Sequence, residues 1–281
     1  MKLRLALVSM LAFSLAVLAE EKKLEIPASP PKDFDAKREK IERGKLDTTE
    51  YDSKSVGAKR KAVVYMPPGY SKETKYPTLY LLHGIGDTET GWTDRAKVEN
   101  LFDNLLADKK IAPMVVVMPN GRADKVSTPK TPWNEQGPAF EAFEADLLKD
   151  LIPHIEKNYS VKADRVNRAL IGFSMGGGQS INFGLKNSDT FAYVGGFAPA
   201  PNTKKVKDLV PDAAKLNKEL KLLWLSVGDT DFILKTSEKL HAELEEMKIP
   251  HYWHINQGGH TWEVCKDDLF RFAPLIFQKG K

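Results

Sequence analysis

Short, continuous apolar runs separated by amphipathic stretches constrain this chain more than any other feature of it. Thr78–Leu82, Met114–Met118, Arg168–Gly172, Tyr193–Phe197 and Leu222–Val227 show no alternation of polar and apolar residues. A strand with one wet face would alternate, so these runs read as strands buried on both faces. Between them lie segments of helical spacing. Arg95–Ala107 places Val98, Leu101, Phe102 and Leu105 on one side. Phe140–Tyr159 reads as a long helix with a kink or break at Pro153. Helices are also expected at Gln179–Lys186, Phe232–Met247 and Glu263–Phe277, with a last strand at His251–Ile255. Thr48–Tyr51 and Lys61–Met66 read as paired antiparallel strands, ended by Pro67-Pro68-Gly69. The pattern predicts an α/β protein: a mostly parallel central sheet flanked by helices on both faces. The less regular segment Pro199–Leu220 is expected to form a small cap.

The flanks carry other information. Lys2 and Arg4 precede an apolar stretch, Leu5–Leu18, and Val17-Leu18-Ala19 offers small residues for cleavage after Ala19. Residues 1–19 therefore read as a signal peptide, since the apolar stretch is short for a membrane span. That predicts a secreted or periplasmic protein, with no membrane attachment after cleavage. Ile26-Pro27-Ala28-Ser29-Pro30-Pro31 and the charged run after it make residues 20–44 a Pro-rich linker, expected to be loosely packed. The domain is expected over residues 45–281. Lys and Arg number 42 against 38 Asp and Glu, a balance that gives no electrostatic case for binding nucleic acid. Cys265 is the only cysteine, so no internal disulfide forms; it reads as a buried bystander.

The chemistry is concentrated in Gly172-Phe173-Ser174-Met175-Gly176. A serine hydroxyl needs a base and a fixed presentation before it attacks a carbonyl. Gly-x-Ser-x-Gly between a strand and a helix supplies the presentation, because small flanking residues permit the sharp turn. Ser174 is the candidate nucleophile of an α/β-hydrolase fold, in which nucleophile, acid and histidine follow in chain order. Of the later histidines, His241 falls on a helix in an exposed or capping position. His251 and His254 face opposite sides of a strand, which argues against a metal pair. His260 follows the flexible Gln257-Gly258-Gly259 and is the candidate base. The acid loop Gly228-Asp229-Thr230-Asp231 holds two candidates, one of them expected to cap the following helix. Placement alone does not separate Asp229 from Asp231. Backbone N–H groups of Met175 and of Ile85, in His83-Gly84-Ile85-Gly86, are the candidate oxyanion hole. His83 itself reads as a structural hydrogen-bonder.

Together these segments resemble carbohydrate esterase family one, the esterase D-like group that includes bacterial feruloyl esterases. The resemblance runs over roughly residues 45 to 278. It rests on Tyr65-Met66-Pro67-Pro68-Gly69-Tyr70, Leu82-His83-Gly84-Ile85-Gly86, Gly172–Ser180, Ala198-Pro199-Ala200-Pro201-Asn202, Gly228–Asp231 and Gln257–His260. The family's Gly-x-x-Asp falls on Asp231. What the resemblance implies is a serine esterase acting on feruloylated or acetylated plant polysaccharide, feruloyl esters of arabinoxylan foremost, without metal or organic cofactor. An acetylxylan esterase of the same family and a glycolipid acyltransferase are the alternatives within it. A non-catalytic carbohydrate-binding module is the alternative outside it. A flat feruloyl ring needs an apolar slot, and Trp92, Trp133 and Trp262 stand in loops where each is a candidate wall. Trp224, inside an apolar strand, reads as core.

Overall fold

Each apolar run becomes a strand of one sheet. The computed structural model describes residues 25–278, so the signal-peptide assignment for residues 1–19 lies outside the described residues. Eight strands are present among them: β1 (Lys45–Ser53), β2 (Ala58–Met66), β3 (Thr78–Leu82), β4 (Val115–Pro119), β5 (Arg168–Phe173), β6 (Tyr193–Phe197), β7 (Leu222–Gly228) and β8 (Tyr252–Asn256). Their spatial order is β1-β2-β4-β3-β5-β6-β7-β8. β1, β2 and β4 pair antiparallel, and every pair from β4 to β8 is parallel. The helices are α1 (Gly91–Asp94), α2 (Val98–Ala107), α3 (Gly137–Asp146), α4 (Ile152–Asn158), α5 (Met175–Lys186), α6 (Val206–Leu209), α7 (Ala213–Glu219), α8 (Leu234–Glu246) and α9 (Trp262–Phe272).

Side chains of successive strand residues point to opposite faces, and here both faces are dry. Leu79, Leu81, Val116, Ile171 and Trp224 pack with α2 and α9 through Leu101, Phe102, Leu269 and Phe272. Tyr80, Leu82, Val117, Leu170, Val194 and Leu225 pack on the other face with Phe143, Ile155, Ile181 and Leu240. This is the expected α/β-hydrolase architecture. Trp224 is fully buried, as expected, and so is the Cys265 thiol, whose pKa burial pushes up.

Several local expectations change. The long helix is interrupted by a π turn at Leu147–Leu151, where the Ile152 N–H reaches back to the Leu147 carbonyl. Pro153 lacks the N–H that the Lys149 carbonyl would take in a regular helix, so the turn widens before it. The helix expected from Arg95 begins only at Val98, because Lys97 before it adopts a left-handed φ of 49°. α6 and α7 occupy the segment read as a cap. Their Val206, Leu209 and Leu216 enter the core beside Leu240 and Leu244, so the segment completes a helical layer.

Residues 25–44 depart furthest from expectation. They are strapped across α2 and α9. Arg271 donates to the Pro27 carbonyl at 2.6 Å and to Ser29 Oγ at 2.8 Å. The Asn104 amide donates to the carbonyls of Phe34 and Ala36, and Phe34 meets Phe270 edge-on at 5.3 Å. Prolines that stiffen a linker also lower the entropy lost when it is fixed to a surface.

Strand register assembles the site. Leu82 pairs with Gly172, which brings the loops after β3 and β5 together. Gly228 pairs with Asn256, which does the same for the loops after β7 and β8. All four loops leave carboxyl ends of parallel strands, the edge at which open α/β sheets hold ligands.

Candidate active site

Ser174 is the single residue between β5 and α5, with φ 56° and ψ −118°. A non-glycine residue rarely occupies this region, and the cost is on the order of 1–3 kcal/mol. Surrounding bonds hold it there. The Ser174 N–H donates to the Phe197 carbonyl at 2.9 Å, and its own carbonyl accepts from Gly178 and Ala200, each at 3.0 Å. The flanking glycines answer to space: a Cβ on Gly172 would strike the Gly176 carbonyl, and one on Gly176 would lie 2.5 Å from the His83 carbonyl oxygen. The turn therefore closes only with glycine at both positions, and it leaves the hydroxyl at the carboxyl edge.

His260 and Asp231 meet it there. His260 Nε2 lies 2.9 Å from Ser174 Oγ, and His260 Nδ1 lies 2.7 Å from Asp231 Oδ2. A carboxylate accepts, so Nδ1 carries the proton and Nε2 offers a lone pair to the serine hydroxyl. The Asp231 side chain is almost wholly buried. Its other oxygen, Oδ1, accepts from the Ile233 N–H at 2.9 Å at the entry to α8. Two duties expected of two different aspartates thus fall on one residue. Asp229 performs neither; its Oδ1 accepts from the Gly258 N–H at 2.8 Å and ties the acid loop to the histidine loop.

The loop after β3 is fixed from beneath. His83 is fully buried; its Nε2 accepts from the Gly121 N–H at 2.9 Å, so its Nδ1 donates to the Gly84 carbonyl at 2.6 Å. Burial pushes the pKa of this imidazole down to about 4, which keeps it neutral as the bond pattern requires. In a trans peptide the C=O and N–H point in opposite directions. With the Gly84 carbonyl turned toward His83, the Ile85 N–H is aimed the other way. Gly84 sits against Ser174, since a Cβ there would lie 3.3 Å from Ser174 Cβ. Arg122, 2% exposed, donates to the carbonyl of Ile85 at 3.0 Å and to that of Asp87, and holds the far side of the loop. Met175 opens α5, where first-turn N–H groups have no partner within the helix.

The aromatic residues sort themselves differently from the sequence expectation. Trp92 is 1% exposed and packs edge-on against Trp262 at 5.0 Å, so it supports the site from the core and walls no slot. Trp92 lies on the short helix α1, not in a loop, and is buried there. Trp262 is half-buried and lies 5.4 Å from Phe173, whose ring stacks on His260 at 4.7 Å. Trp133 stands 74% exposed on a short 3₁₀ turn, Trp133–Glu135. Three residues went unnoticed in the sequence. Phe173 sits inside the serine motif, where its side chain looked incidental. Phe232, 79% exposed, meets the His260 ring at 4.7 Å, although its position suggested only a helix start. Arg122 follows a turn after β4, a placement matching that of the loop after β3.

Known proteins align with this geometry. The family model described as "Putative esterase" matches residues 53–275. An endo-1,4-beta-xylanase/feruloyl esterase from Xylanibacter ruminicola is 35% identical over 271 residues, covering 92% of this chain and 35% of that protein. Endo-1,4-beta-xylanase Y of Acetivibrio thermocellus is 30% identical, covering 77% of this chain and 22% of its own length. The chain thus spans about a third of the first relative and about a fifth of the second. Among solved structures, the CE1 ferulic acid esterase of the anaerobic fungus Anaeromyces mucronatus superposes with a TM-score of 0.80 at 26% identity, covering 91% of this chain and 98% of that one. The same enzyme in complex with ferulic acid gives 0.79. From the serine turn, the loops that meet it and these matches together, the chain belongs to the esterase family, on the α/β-hydrolase fold of the CE1 enzymes.

Proposed function

We propose that this chain is a feruloyl esterase, releasing ferulate from arabinose side chains of plant xylan by acyl transfer through Ser174. The observation that carries the chemistry is the unbroken relay Asp231 Oδ2, His260 Nδ1, His260 Nε2, Ser174 Oγ, with both links under 3 Å. In the first step the Ser174 oxygen attacks the ester carbonyl carbon as its proton passes to His260 Nε2. Asp231 keeps the ring in the tautomer that receives that proton and stabilises the imidazolium. Negative charge on the former carbonyl oxygen is met by the N–H groups of Met175 and Ile85. The sugar oxygen leaves with the proton from His260, and an acyl-enzyme remains. Water then repeats the sequence and frees the acid. Export through residues 1–19 belongs to the same reading and rests on their sequence alone.

The feruloyl assignment draws on the two relatives named for that activity and on the aromatic group around His260: Phe173, Phe232 and Trp262. Flat aryl acids gain from such surfaces roughly 0.5–1.5 kcal/mol per ring contact beyond area burial. The test compares kcat/KM for methyl ferulate and for acetylated xylan. A strong preference for methyl ferulate is expected; a preference for acetylated xylan replaces this reading with an acetylxylan esterase.

A further inference from the structure

α8 starts beside Asp231, and β8 leads toward His260; the two elements meet again at their other ends. There His241 of α8 lies flat on Trp253, with ring centroids 4.7 Å apart and 9° between planes. Its Nδ1 is 2.7 Å from Nε2 of His251, so the helix histidine read as exposed or capping has a histidine partner. His251 Nδ1 lies 2.8 Å from the Ile249 carbonyl oxygen. A carbonyl only accepts, so His251 carries its proton on Nδ1 and turns the Nε2 lone pair toward His241. Glu245 follows His241 by one helical turn on the same face. One carboxylate oxygen and one nitrogen from each ring lie within 4.8 Å of one another.

We propose that His241, Glu245 and His251 form a binding site for a divalent ion of the zinc class. Two imidazole nitrogens and a carboxylate are a donor set suited to such an ion, with water completing a tetrahedron. The Ile249 carbonyl does what outer partners of metal-binding histidines do, fixing tautomer and ring orientation. Trp253 fixes the plane of the second ring. Binding requires a lone pair on His241 Nδ1, which arises when the ring proton moves to Nε2 through solvent; the imidazole stays neutral and no proton is lost overall. Glu245 is exposed, so the ion enters from solvent. His254 with Asp267 and Asp268 is a poorer candidate, because Asp267 already holds the Arg271 cation. An ion here would clamp together the two elements whose other ends present Asp231 and His260.

The test uses the full chain without a polyhistidine tag, stripped with chelator and titrated with Zn²⁺ by calorimetry at neutral pH. One ion per chain is expected, with Tm rising by roughly 5 °C at about a hundredfold excess over Kd and falling back on chelation. Glu245→Gln weakens binding by roughly tenfold or more, as losing a ligand should. The double variant His241→Asn/His251→Asn abolishes it, and the neighbouring Glu246→Gln leaves it intact. Glu245 is exposed, so its variant stays folded, which unchanged ester hydrolysis at 25 °C verifies. Absence of binding by the parent chain, or full affinity in either ligand variant, overturns the proposal.

Discussion

Ser174 and the loop that faces it are held by groups almost wholly out of water, whereas two aromatic side chains near them, Trp262 and Phe232, stand partly or largely in it. His83 and Arg122, beneath the loop after β3, are 0% and 2% exposed, whereas Phe232, against the His260 ring, is 79% exposed. The floor is also tied by direct bonds to backbone carbonyls of the loop itself, while the rim touches the relay only through ring contacts. A buried bond is expensive to break because its partner is left unpaired, so the floor has one geometry. An exposed ring loses little when displaced. The floor should therefore govern whether an ester is cleaved at all, and the rim which acid is preferred.

The strongest way to break that division is at the serine. Ser174→Ala should lower kcat on a 4-nitrophenyl ester by roughly 10⁴-fold or more while leaving the fold intact. Turnover near that of the parent chain would remove the floor from the chemistry. Next in size, Asp231→Asn should cost on the order of 10³–10⁴-fold in kcat, because an amide that donates to Nδ1 enforces the wrong tautomer of His260. Asp229→Asn should cost less than about tenfold, since an amide oxygen still accepts from the Gly258 N–H. The reverse order would transfer the relay to Asp229.

A third effect appears in stability. His83 has a pKa of about 4 in the folded chain against an ordinary value near 6.5. Below about pH 6.5 the unfolded chain takes up a proton there that the folded chain refuses, so stability present at neutral pH is lost as pH falls toward 4. The loss from this one buried ring is on the order of 3 kcal/mol. Urea unfolding at pH 7 and pH 4.5 should show it. His83→Gln should be less stable at pH 7 yet lose less between the two pH values. An unchanged acid loss in that variant would mean that His83 is not the buried neutral group on which the floor rests.

The same contrast explains what was legible in the sequence. Strands such as Leu222–Val227 announce themselves because burial on both faces removes every polar residue, and the serine turn announces itself because glycine is the only fit at 172 and 176. Ser174 and His260 follow from position, since a loop at the carboxyl edge has few places to go. Asp231 and Asp229 are two residues apart in one loop, and their roles depend on which carboxylate turns inward. Trp92 and Phe232 make the opposite error visible: a tryptophan read as a loop residue lies on α1 in the core, and a helix-start phenylalanine went to the rim. The strap over residues 25–44 was illegible because its anchors Arg271, Lys266 and Asn104 lie 68 to 244 residues along the chain, beyond any local pattern.

The smallest effect tests the rim most sharply. Phe232→Ala removes an exposed ring that meets His260 at 4.7 Å, while Phe173 still stacks on the imidazole from a buried position. If Phe232 serves the acyl group, its loss removes one aromatic contact, and KM for methyl ferulate should rise by roughly 3- to 10-fold with kcat nearly unchanged. Acetylated xylan, which has no aryl acid to place, should be hydrolysed as before. If instead Phe232 holds the imidazole in line, kcat should fall by the same factor for both substrates and KM should stay. The second result would move Phe232 from rim to floor. It would also show that a side chain 79% exposed can govern the reaction as firmly as one fully buried.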